Sequence, residues 1–536
     1  MKTAFFPRFY LVLLAFGIAD IARGQNLKLP AVPQGLQAAS RQLGVALKWE
    51  PVTGVSGYEV QRAGAPEGPY HTLNNKFAYL PVFNDFVGVD DTNFYYRVCS
   101  TKSDAKGHFL RSAWSNLAEG QPDGLDINDL LTEVQQSGFD YFYKFGHPVS
   151  GLPRLAIHRD PDTCAIGATG MGFFNLGVGI ERGFITRREG VNRALLELNF
   201  LFRHAERFHG AFPHLVNGVT GKAIPFDKYD DGADIVETAF LMEGVLFARE
   251  FFSRPTPGEI EIRRLANDLW RNVEWDWFLR NDPAPYLVWH WSPNYGYKIN
   301  LHITGFNECQ IAYLLAMASP THPIKPSAYW EGWEGPLYSV PRISYGMHLT
   351  LGDSNAPAPP LFMTHYSYLG FDPHALRFRG KTYFDHFREF SLAQVRYAWG
   401  KSDVYKGYGR LWGITASSGP DGYRPFQPGK QDNGTLAPTA ALSSMPYVPY
   451  ESLPCLIEMY KKNGTQLWGP LGFYDSFNLT RKWVSKTYLC IDQGPIAPMI
   501  ENYRTSLCWK TFMKCPEIQP VIKLINAGEL ARARVE

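Results

Sequence analysis

The sequence predicts a mainly α-helical protein, an (α/α)6 barrel preceded by a small N-terminal all-β sandwich. Residues 30–120 contain short runs of alternating apolar and polar residues, separated by Pro, Gly and Asn. Residues 126–520 instead show helical periodicity, and amphipathic helices alternate there with helices that are apolar on nearly every side. Such alternation is typical of two concentric rings of helices.

The first 24 residues have the composition of a secretory signal peptide. Lys2 and Arg8 are basic, residues 9–18 are apolar, and small residues lead up to Gly24, where we expect cleavage before Gln25. The apolar run is too short for a membrane anchor, and no later window reaches the length of a spanning helix. We therefore expect a secreted or periplasmic protein with no membrane span.

Composition excludes several other classes. The chain is 45% hydrophobic and 19% charged, which describes a globular protein, and its formal net charge of +2 comes without a basic run of the kind that binds nucleic acid. The seven cysteines lack paired metal-ligand spacing, so we expect neither a metal nor another cofactor. We interpret them mostly as buried thiols and leave one disulfide open.

Strands are predicted at residues 45–49, 58–62 and 94–99, where apolar residues alternate with polar ones. Turn residues separate these runs, as in a small sandwich. Residues 121–124, Gln-Pro-Asp-Gly, are predicted to link this part to the helices.

Twelve helices are predicted after the linker, six of each type. The amphipathic helices are expected at residues 126–144, 186–208, 257–279, 326–334, 382–399 and 449–462. The apolar helices are expected at residues 164–180, 232–251, 305–318, 361–370, 435–445 and 492–512. The fourth and fifth pairs are short and interrupted by Gly and Pro.

Acidic residues stand at the N-terminal ends of three of the apolar helices. Asp234 and Glu237 share one face of a first turn, Glu308 precedes another helix, and Asp492 opens a third. Because the inner helices of such a barrel run parallel, these carboxylates should meet at one end. Each acid by itself is also explained as a helix cap, and Asp234 with Glu237 resembles a capping box.

Paired carboxylates are what the hydrolysis of a glycosidic bond requires. One protonates the leaving oxygen, while the other activates water or attacks the sugar. The chain has no Gly-x-Ser-x-Gly elbow, His-Glu-x-x-His pair or phosphate loop, so serine hydrolases, zinc proteases and NTPases are not indicated. His322 and His365 are interpreted as hydrogen-bonding residues rather than metal ligands.

Two resemblances to known families follow from local motifs. Residues 30–120 resemble a fibronectin type III module through Pro33, Trp49 and the segments 57–60, 96–98 and 112–116. Residues 126–520 resemble the glycoamylase-like domain of bacterial endo-β-1,2-glucanases, glycoside hydrolase family 144. The motifs are AIGATGMG at 165–172, GIERG at 179–183, ADIVET at 233–238, GFNE at 305–308, SPTHP at 319–323, LWGITAS at 411–417, GTLAPTA at 434–440, IDQGP at 491–495 and MIENYR at 499–504.

The second resemblance implies an (α/α)6 fold, an inverting hydrolysis without cofactor, and linear or cyclic β-1,2-glucan as substrate. The important acids of the family fall on Asp234, Glu237, Glu308 and Asp492. We assign Glu308 as the general acid and Asp492 as the carboxylate on the base side. Asp234 and Glu237 would then hold sugar hydroxyls or the water.

Aromatic and histidine side chains in the same loops are candidate platforms for sugar rings. They are Trp289, Trp291, His365, Tyr366 and Trp412. The chain has Ser418 where the family pattern has Asp, which leaves endo action, exo action releasing sophorose-type products and sugar transfer open.

Other interpretations remain open at this point. The chain could hydrolyse another glucan linkage, or act as a polysaccharide lyase with Tyr366 or His365 as base. It could also be a non-catalytic glycan-binding protein. We expect a monomer.

Overall fold

The computed structural model describes residues 29–533, except residues 75–77, 104–108, 282, 336 and 353–355. The predicted signal peptide, residues 1–24, lies outside the described residues.

The N-terminal part consists of two antiparallel sheets. One has the strand order β1-β2-β5, and the other has the order β4-β3-β6-β7 with β8 also paired to β6. The strands are β1 (Gln37–Arg41), β2 (Gly44–Lys48), β3 (Gly57–Ala63), β4 (His71–Thr72), β5 (Val82–Phe86), β6 (Phe94–Ser103), β7 (Phe109–Arg111) and β8 (Ala118–Gly120).

A small hydrophobic core fills the N-terminal part, because alternate side chains of each strand point to the same face. In the central pair, Val60 of β3 lies opposite Val98 of β6. The buried members of this core are Leu36, Val45, Leu47, Trp49, Tyr58, Val60, Tyr96, Val98 and Ala118. The three strands predicted from alternation are confirmed as β2, β3 and β6.

The N-terminal sheets are docked firmly on the helical part. The backbone N–H of Gln42 donates to Glu133 Oε1 at 2.9 Å, and Tyr460 Oη donates to the Gln42 carbonyl at 2.6 Å. The ring of Phe86 meets that of Tyr460 edge to face at 5.1 Å between centroids. The two parts therefore share buried contacts as well as the linker.

Helices dominate the remainder of the chain. The α-helices are α1 (Ile127–Tyr143), α2 (Ile166–Glu181), α3 (Arg187–Arg203), α4 (Ile235–Phe251), α5 (Pro257–Arg271), α6 (Gln310–Ala318), α7 (Tyr383–Gly400), α8 (Pro438–Ser443), α9 (Pro449–Ile457), α10 (Asn463–Leu467), α11 (Cys490–Gln493), α12 (Ile496–Arg504), α13 (Leu507–Phe512) and α14 (Ile518–Ala533). Short 3₁₀ turns cover Trp275–Phe278, Leu361–Thr364 and Tyr366–Tyr368, and π-helical turns cover Tyr329–Trp333 and Glu458–Lys462.

Antiparallel pairs of two- or three-residue strands shape the loops. The pairs are Thr163–Ala165 with Leu215–Asn217, Leu215–Asn217 with Ala223–Ile224, Ala233–Asp234 with His290–Trp291, Leu279–Arg280 with Tyr286–Val288, Tyr286–Val288 with His302–Ile303, Arg342–Ser344 with Met347–Leu349, Arg377–Phe378 with Lys381–Thr382, Ala416–Ser417 with Arg424–Pro425, Trp468–Gly469 with Gly472–Phe473, and Phe477–Asn478 with Trp483–Val484.

Burial separates the helices into the two predicted types. Fourteen of the 16 residues of α2 are buried, whereas only six of the 15 residues of α5 are. The buried helices α2, α4, α6 and α8 carry small and apolar residues on every side, and α1, α3, α5 and α7 bury one face. Helix α2 packs against α4 and α12, and α4 packs against α6, so the buried helices are neighbours of each other.

Three predicted helices differ from the structure. The segments 326–334 and 361–370 form only a π-helical turn and two 3₁₀ turns, and 492–512 is divided between α11, α12 and α13. One break in the last segment falls at Pro495, which has no N–H to donate, and the other at Ser506, whose φ of 61° is left-handed. Helix α14 was not predicted.

Each of the seven cysteines is a buried free thiol. The disulfide that the sequence left open is therefore not formed in this structure. None of the helices within the described residues has the combined length and apolar surface that crossing a bilayer requires.

Two glycines allow the backbones of α2 and α4 to touch. A Cβ on Gly170 would lie 1.9 Å from the carbonyl oxygen of Phe240, and one on Gly244 would lie 2.0 Å from the carbonyl oxygen of Gly170. This close approach holds α4, which carries Asp234 and Glu237, against the start of α2.

We expect the Gly244→Ala substitution to force α2 and α4 apart and to lower the free energy of unfolding by about 1–3 kcal/mol or more. Chemical denaturation followed by circular dichroism measures this. The control is Gly400→Ala at the end of α7, where the new Cβ would meet only Tyr345 at an ordinary 3.5 Å. Equal stability of the two variants would contradict the close helix contact.

Candidate active site

Asp234 lies at the N-terminus of α4 and is fully buried. Its Oδ1 accepts hydrogen bonds from the backbone N–H groups of Val236 and Glu237, each at 2.9 Å. Its Oδ2 accepts a bond from Trp289 Nε1 at 3.1 Å and lies 3.2 Å from His214 Nδ1. Asp234 therefore caps the helix with Oδ1, and its Oδ2 contacts the side chains of Trp289 and His214.

Glu237 does not complete a capping box. Its Oε2 accepts a hydrogen bond from the backbone N–H of Gly167 in α2 at 2.8 Å. The backbone N–H of Asp234 instead donates to the carbonyl of Phe212 at 2.8 Å. The capping interpretation thus holds for Asp234, while Glu237 connects two buried helices.

His214 lies among three carboxylates that the sequence analysis did not connect with it. Its Nδ1 is 3.2 Å from Asp234 and 4.0 Å from Asp230, and its Nε2 is 3.9 Å from Glu237. The ring stacks on that of Phe226 at 4.2 Å between centroids, and Phe226 is 59% exposed. The loop before α4 therefore places a cationic side chain and an open aromatic face beside Asp234.

Each charged group in this cluster changes the pKa values of its neighbours. Burial by itself would lower the pKa of His214, but Glu237, Asp234 and Asp230 outweigh it and raise that pKa to about 9. Burial would likewise raise the pKa of Asp234, but the contact with His214 and the charges of His214 and His290 lower it. Burial raises the pKa of Asp230 to about 7 and also raises that of Glu237, and the Asp234 charge adds to both shifts.

The same cluster offers ligands to a metal ion. His214, Asp230 and Asp234 each present one ligand atom, and these atoms lie within 4.8 Å of one another. A metal ion would have to displace the proton of His214, because coordination needs the neutral imidazole. With a pKa of about 9, that histidine already supplies a positive charge at neutral pH.

Glu308 lies in the turn just before α6 and keeps part of its surface exposed. The hydroxyl of Ser367 donates a hydrogen bond to the backbone carbonyl of Glu308, which ties this turn to the 3₁₀ turn Tyr366–Tyr368. Desolvation by the surrounding protein, and then the charge of Glu237, raise the pKa of Glu308 to about 7. Its carboxyl is therefore largely protonated in mildly acidic solution.

Asp492 lies inside α11 and is 1% exposed. Tyr366 Oη donates a hydrogen bond to its Oδ1 at 3.3 Å. Burial, and then the Asp475 carboxyl, raise the pKa of Asp492 well above its ordinary value. Asp492 is thus a second acidic group in this site, after Glu308, whose pKa is raised.

The four acids meet at one site. The charge of Glu237 contributes to the raised pKa of Glu308. After burial, the charges of Glu237 and Asp492 raise the pKa of the Cys490 thiol, and those of Asp492 and Glu308 act on Tyr366. Because the charges of these acids act on the same neighbouring groups, the carboxyl groups of three separate segments, α4, the turn before α6 and α11, lie near one another.

Comparison with known proteins identifies the family. The glycoamylase family profile matches residues 300–516. The exo β-1,2-glucooligosaccharide sophorohydrolase (non-reducing end) of Parabacteroides distasonis is 37% identical over 515 residues, covering 92% of this chain and 70% of that protein. This chain belongs to the glycoamylase-like β-1,2-glucanase family.

Solved structures of the family agree with this assignment. The β-1,2-glucanase from Parabacteroides distasonis superposes with a TM-score of 0.87 at 36% identity, covering 94% of this chain and 74% of its own. The endo-β-1,2-glucanase from Chitinophaga pinensis, in complex with sophorotriose and glucose, superposes with a TM-score of 0.72 at 41% identity. It covers 75% of this chain and 97% of its own.

The candidate platforms separate into two groups in this member of the glycoamylase-like β-1,2-glucanase family. Trp289 and Tyr366 lie in the site, since each donates a hydrogen bond to one of its carboxylates. Trp291 belongs to an aromatic cluster with Trp277 and His209, at 6.3 and 5.1 Å between centroids. The backbone of Trp291 pairs with that of Ala233, but among the described residues its side chain makes no hydrogen bond to the carboxylates.

His365 and Trp412 are corrections to the sequence analysis. His365 is 1% exposed, its Nε2 contacts Ser444 Oγ at 3.0 Å, and burial lowers its pKa to about 3. Trp412 is 3% exposed and donates from Nε1 to the carbonyl of Glu451 at 3.2 Å. Both side chains are packed into the core and have no open face for a sugar ring.

Sequence reasoning missed several residues of the site. His214 and Asp230 lie in the long loop before α4, and Asp230 stands four residues before Asp234, which is the one local signal for it. Tyr423 is 55% exposed, and its pKa is raised by desolvation and then by the charges of Asp492, Asp475 and Glu308. Tyr423 follows the LWGITAS motif at 411–417, but nothing in that motif singled out this residue.

Proposed function

We propose that this protein is a glycoside hydrolase that cleaves β-1,2-glucan by an inverting mechanism with two carboxyl groups. Glu308 acts as the general acid, and Asp492 is the carboxylate that activates water. The observation that carries the proposal is the raised pKa of Glu308, about 7, in a partly open position beside the site of Asp492. The family relationship supports the substrate.

The acid role of Glu308 follows from its protonation. Cleavage of a glycosidic bond produces a poor leaving group unless the bridging oxygen receives a proton as the bond breaks. An ordinary Glu is ionised at neutral pH, whereas a Glu with a pKa near 7 still holds a proton to donate.

Asp234, Glu237 and His214 are suited to binding sugar hydroxyls. Asp234 is held ionised and His214 is held protonated, so acceptors and a donor are preorganised in a buried setting. The exposed ring of Phe226 lies against His214, and the exposed ring of Tyr423 lies near Glu308 and Asp492, so both offer apolar faces of the kind that stack on sugars.

The architecture supports this arrangement. We infer an (α/α)6 barrel in which α2, α4, α6, α8 and α12 contribute to the inner ring and α1, α3, α5, α7 and α9 to the outer one, because each outer helix packs on an inner element. The N-terminal sheets are proposed to be a fibronectin type III-like module at residues 30–120, and the catalytic domain to cover residues 126–520.

We propose exo action that releases a disaccharide. The sophorohydrolase relative matches 92% of this chain, including the N-terminal sheets, whereas the endo-acting relative matches only 75%. We propose secretion to the periplasm or medium after removal of residues 1–24, and action as a monomer.

The test is incubation of the purified protein with linear β-1,2-glucan and with β-1,3-, β-1,4- and α-1,4-glucans, followed by proton NMR. We expect sophorose from the β-1,2-glucan alone, with the α-anomer at the new reducing end appearing first. Release of oligosaccharides longer than a disaccharide would show endo action. Products longer than the starting glucan would show sugar transfer. An unsaturated sugar would show a lyase, and binding without products would overturn the hydrolase proposal.

Trp289 supplies a further prediction, because its Nε1 is the neutral donor that holds Asp234. We expect Trp289→Phe to keep the ring but lose this bond, and to lower kcat/KM on β-1,2-glucan roughly 10- to 100-fold. Trp291→Phe is the matched control two residues further along the same segment and should stay near the wild-type value. Steady-state kinetics of both variants measure this difference. A similar loss of kcat/KM in both would contradict the role of the Trp289–Asp234 hydrogen bond.

A further inference from the structure

Asp230 is a buried acid whose carboxyl group lacks a hydrogen-bond donor among the described residues. The residue is 6% exposed, and its Oδ1 is a buried oxygen without a partner. Its Oδ2 lies 3.5 Å from His290 Nε2 and 4.0 Å from His214 Nδ1, both longer than an ordinary hydrogen bond. Buried carboxylates are normally paired, hydrogen-bonded or bound to a metal ion. The position of Asp230 therefore indicates a ligand.

His214 Nδ1 is a second polar atom of this kind. It lies 3.2 Å from Asp234 Oδ2, yet it is a buried nitrogen with no hydrogen-bond partner in the part of the chain that the structure describes. The nitrogen is thus close to the carboxylate without being directed at it. The ligand atoms of His214, Asp230 and Asp234 lie within 4.8 Å of one another. One nitrogen and two oxygens are therefore gathered around one small space.

Backbone hydrogen bonds hold the loop residues of this cluster in place. The N–H of Asp230 donates to the carbonyl of Asp227 at 3.1 Å, and its carbonyl accepts from the N–H of Phe226 at 2.9 Å. The carbonyl of His214 accepts from the N–H of Ile166, at the start of α2, at 3.2 Å. The side chains are therefore carried by a tight turn and by backbone bonded to a buried helix.

Negative charge exceeds positive charge around the cluster. The carboxyl groups of Asp227 and Asp231 add to those of Asp230 and Asp234, whereas His214 adds one positive charge. Buried carboxylates of this kind are commonly compensated by a metal ion, which is the largest charge in such a site. A dication therefore fits the cluster, and an anion does not.

We propose that His214, Asp230 and Asp234 bind one Zn²⁺ ion, and that bound zinc inhibits the enzyme by occupying the place of the sugar. The inhibition rests on the proposed hydrolase function, whereas the binding of zinc does not.

The chemistry and spacing of the ligands favour zinc over other dications. Imidazole nitrogen suits Zn²⁺, whereas Mg²⁺ and Ca²⁺ prefer oxygen ligands in larger number. Zinc bonds of about 2.0–2.1 Å at tetrahedral angles place two ligand atoms about 3.3–3.4 Å apart. His214 Nδ1 and Asp234 Oδ2 are 3.2 Å apart, and Asp230 Oδ2, at 4.0 Å from that nitrogen, needs only a small movement. Three protein ligands leave the fourth position of the metal to water.

Neighbouring side chains support two of the three ligands. Trp289 Nε1 donates a hydrogen bond to Asp234 Oδ2 at 3.1 Å, and Glu237 Oε1 lies 3.9 Å from His214 Nε2. A metal-binding histidine commonly directs its second nitrogen to a carboxylate, which fixes the tautomer that coordinates. Glu237 is placed for that role.

Zinc and glucan would compete for the same atoms. Asp234 and His214 are the groups proposed above to hold sugar hydroxyls, and Zn²⁺ would take Oδ2 of the first and Nδ1 of the second. The ion would also displace the proton of His214, because coordination needs the neutral imidazole. Glu308 and Asp492 remain the reacting groups, so zinc is an inhibitor and not a cofactor of the proposed reaction.

Zinc binding is tested on the full chain after treatment with a chelator, by isothermal titration with ZnCl₂. We expect one Zn²⁺ per chain, and zinc-edge X-ray absorption should show nitrogen and oxygen ligands at about 2.0–2.1 Å. Asp230→Asn keeps the size of the side chain and should weaken binding by roughly 100-fold or more, since losing even an outer partner of a metal ligand costs 10- to 100-fold. Asp276→Asn is the matched control, because Asp276 contacts His322 at 3.2 Å in an exposed pair outside the cluster. It should bind zinc as the wild type does.

Inhibition is measured as kcat/KM on β-1,2-glucan with and without Zn²⁺, each variant being compared with its own zinc-free rate. At zinc about ten times its Kd, we expect wild type and Asp276→Asn to lose about tenfold, because free protein is reduced by the factor 1 + [Zn²⁺]/Kd. Asp230→Asn should lose little, and chelator should restore the wild type. Circular dichroism checks that each variant is folded.

The outcomes separate the two levels of inference. Wild-type protein that binds no zinc, or Asp230→Asn that is folded and binds it equally well, would overturn the site. Zinc bound through Asp230 without any loss of rate would overturn the inhibition. Protein that is inactive on β-1,2-glucan but binds zinc through Asp230 would refute the hydrolase function and leave the zinc site standing.

Discussion

Replacing Glu308 by Gln should lower kcat on β-1,2-glucan by roughly 10²- to 10⁴-fold, the usual contribution of a general acid. Gln has the same shape but no proton to give to the leaving oxygen. KM should change little, because the amide can still contact the substrate. The fold should be unaffected, because the Gln amide oxygen can still accept the hydrogen bond that the residue's own backbone N–H donates to the Glu308 carboxyl. Initial rates of sophorose release measure the effect.

Two controls make the Glu308 result decisive. Glu331→Gln is the same change at an exposed position and should leave the rate unchanged. An aryl β-sophoroside, whose leaving group is stable without a proton, should recover much of the lost rate in Glu308→Gln. If that variant is equally slow on both substrates, Glu308 contributes something other than a proton, and our assignment is wrong.

The pH dependence of activity should also report the protonation of Glu308. Desolvation and then the charge of Glu237 raise the pKa of Glu308 from 4.5 to about 7. A general acid works in its protonated form, so the activity that depends on Glu308 should fall by about tenfold per pH unit above pH 7. The measurement is kcat/KM on β-1,2-glucan from pH 4 to pH 9, at constant ionic strength.

Asp230 and Glu237 also have raised pKa values and titrate near the same pH. Their contribution can be separated with Glu237→Gln, which removes the negative charge that helps to raise the pKa of Glu308. We expect this variant to lose activity but to keep an alkaline limb, moved to lower pH. A limb that disappears in Glu237→Gln would assign it to Glu237 instead.

Helix prediction succeeded where side-chain periodicity decides the structure. The segments 164–180 and 232–251 are apolar on every side, and they became the buried helices α2 and α4. It failed at 361–370, because the chain there makes two 3₁₀ turns that are held by contacts with other segments, such as the hydrogen bond from Ser367 to the turn before α6. Periodicity carries no information about such contacts.

Part of the site was predictable because local sequence marks the starts of helices. Asp234, Glu237, Glu308 and Asp492 stand at or near starts of helices, where local sequence already marks them. Charged and aromatic residues in irregular loops have no such mark. His214 and Tyr423 became visible as parts of the site only through the charges around them.

The chain's residue pattern was enough to establish a helical protein with N-terminal sheets, its family, and the acids at the starts of its buried helices, because periodicity, caps and motifs are local properties. Only the folded structure shows that neighbouring carboxylates raise the pKa of His214, and that His365 and Trp412 are packed into the core. Each of these depends on desolvation and on charges contributed by distant segments, and both quantities exist only once those segments are brought together.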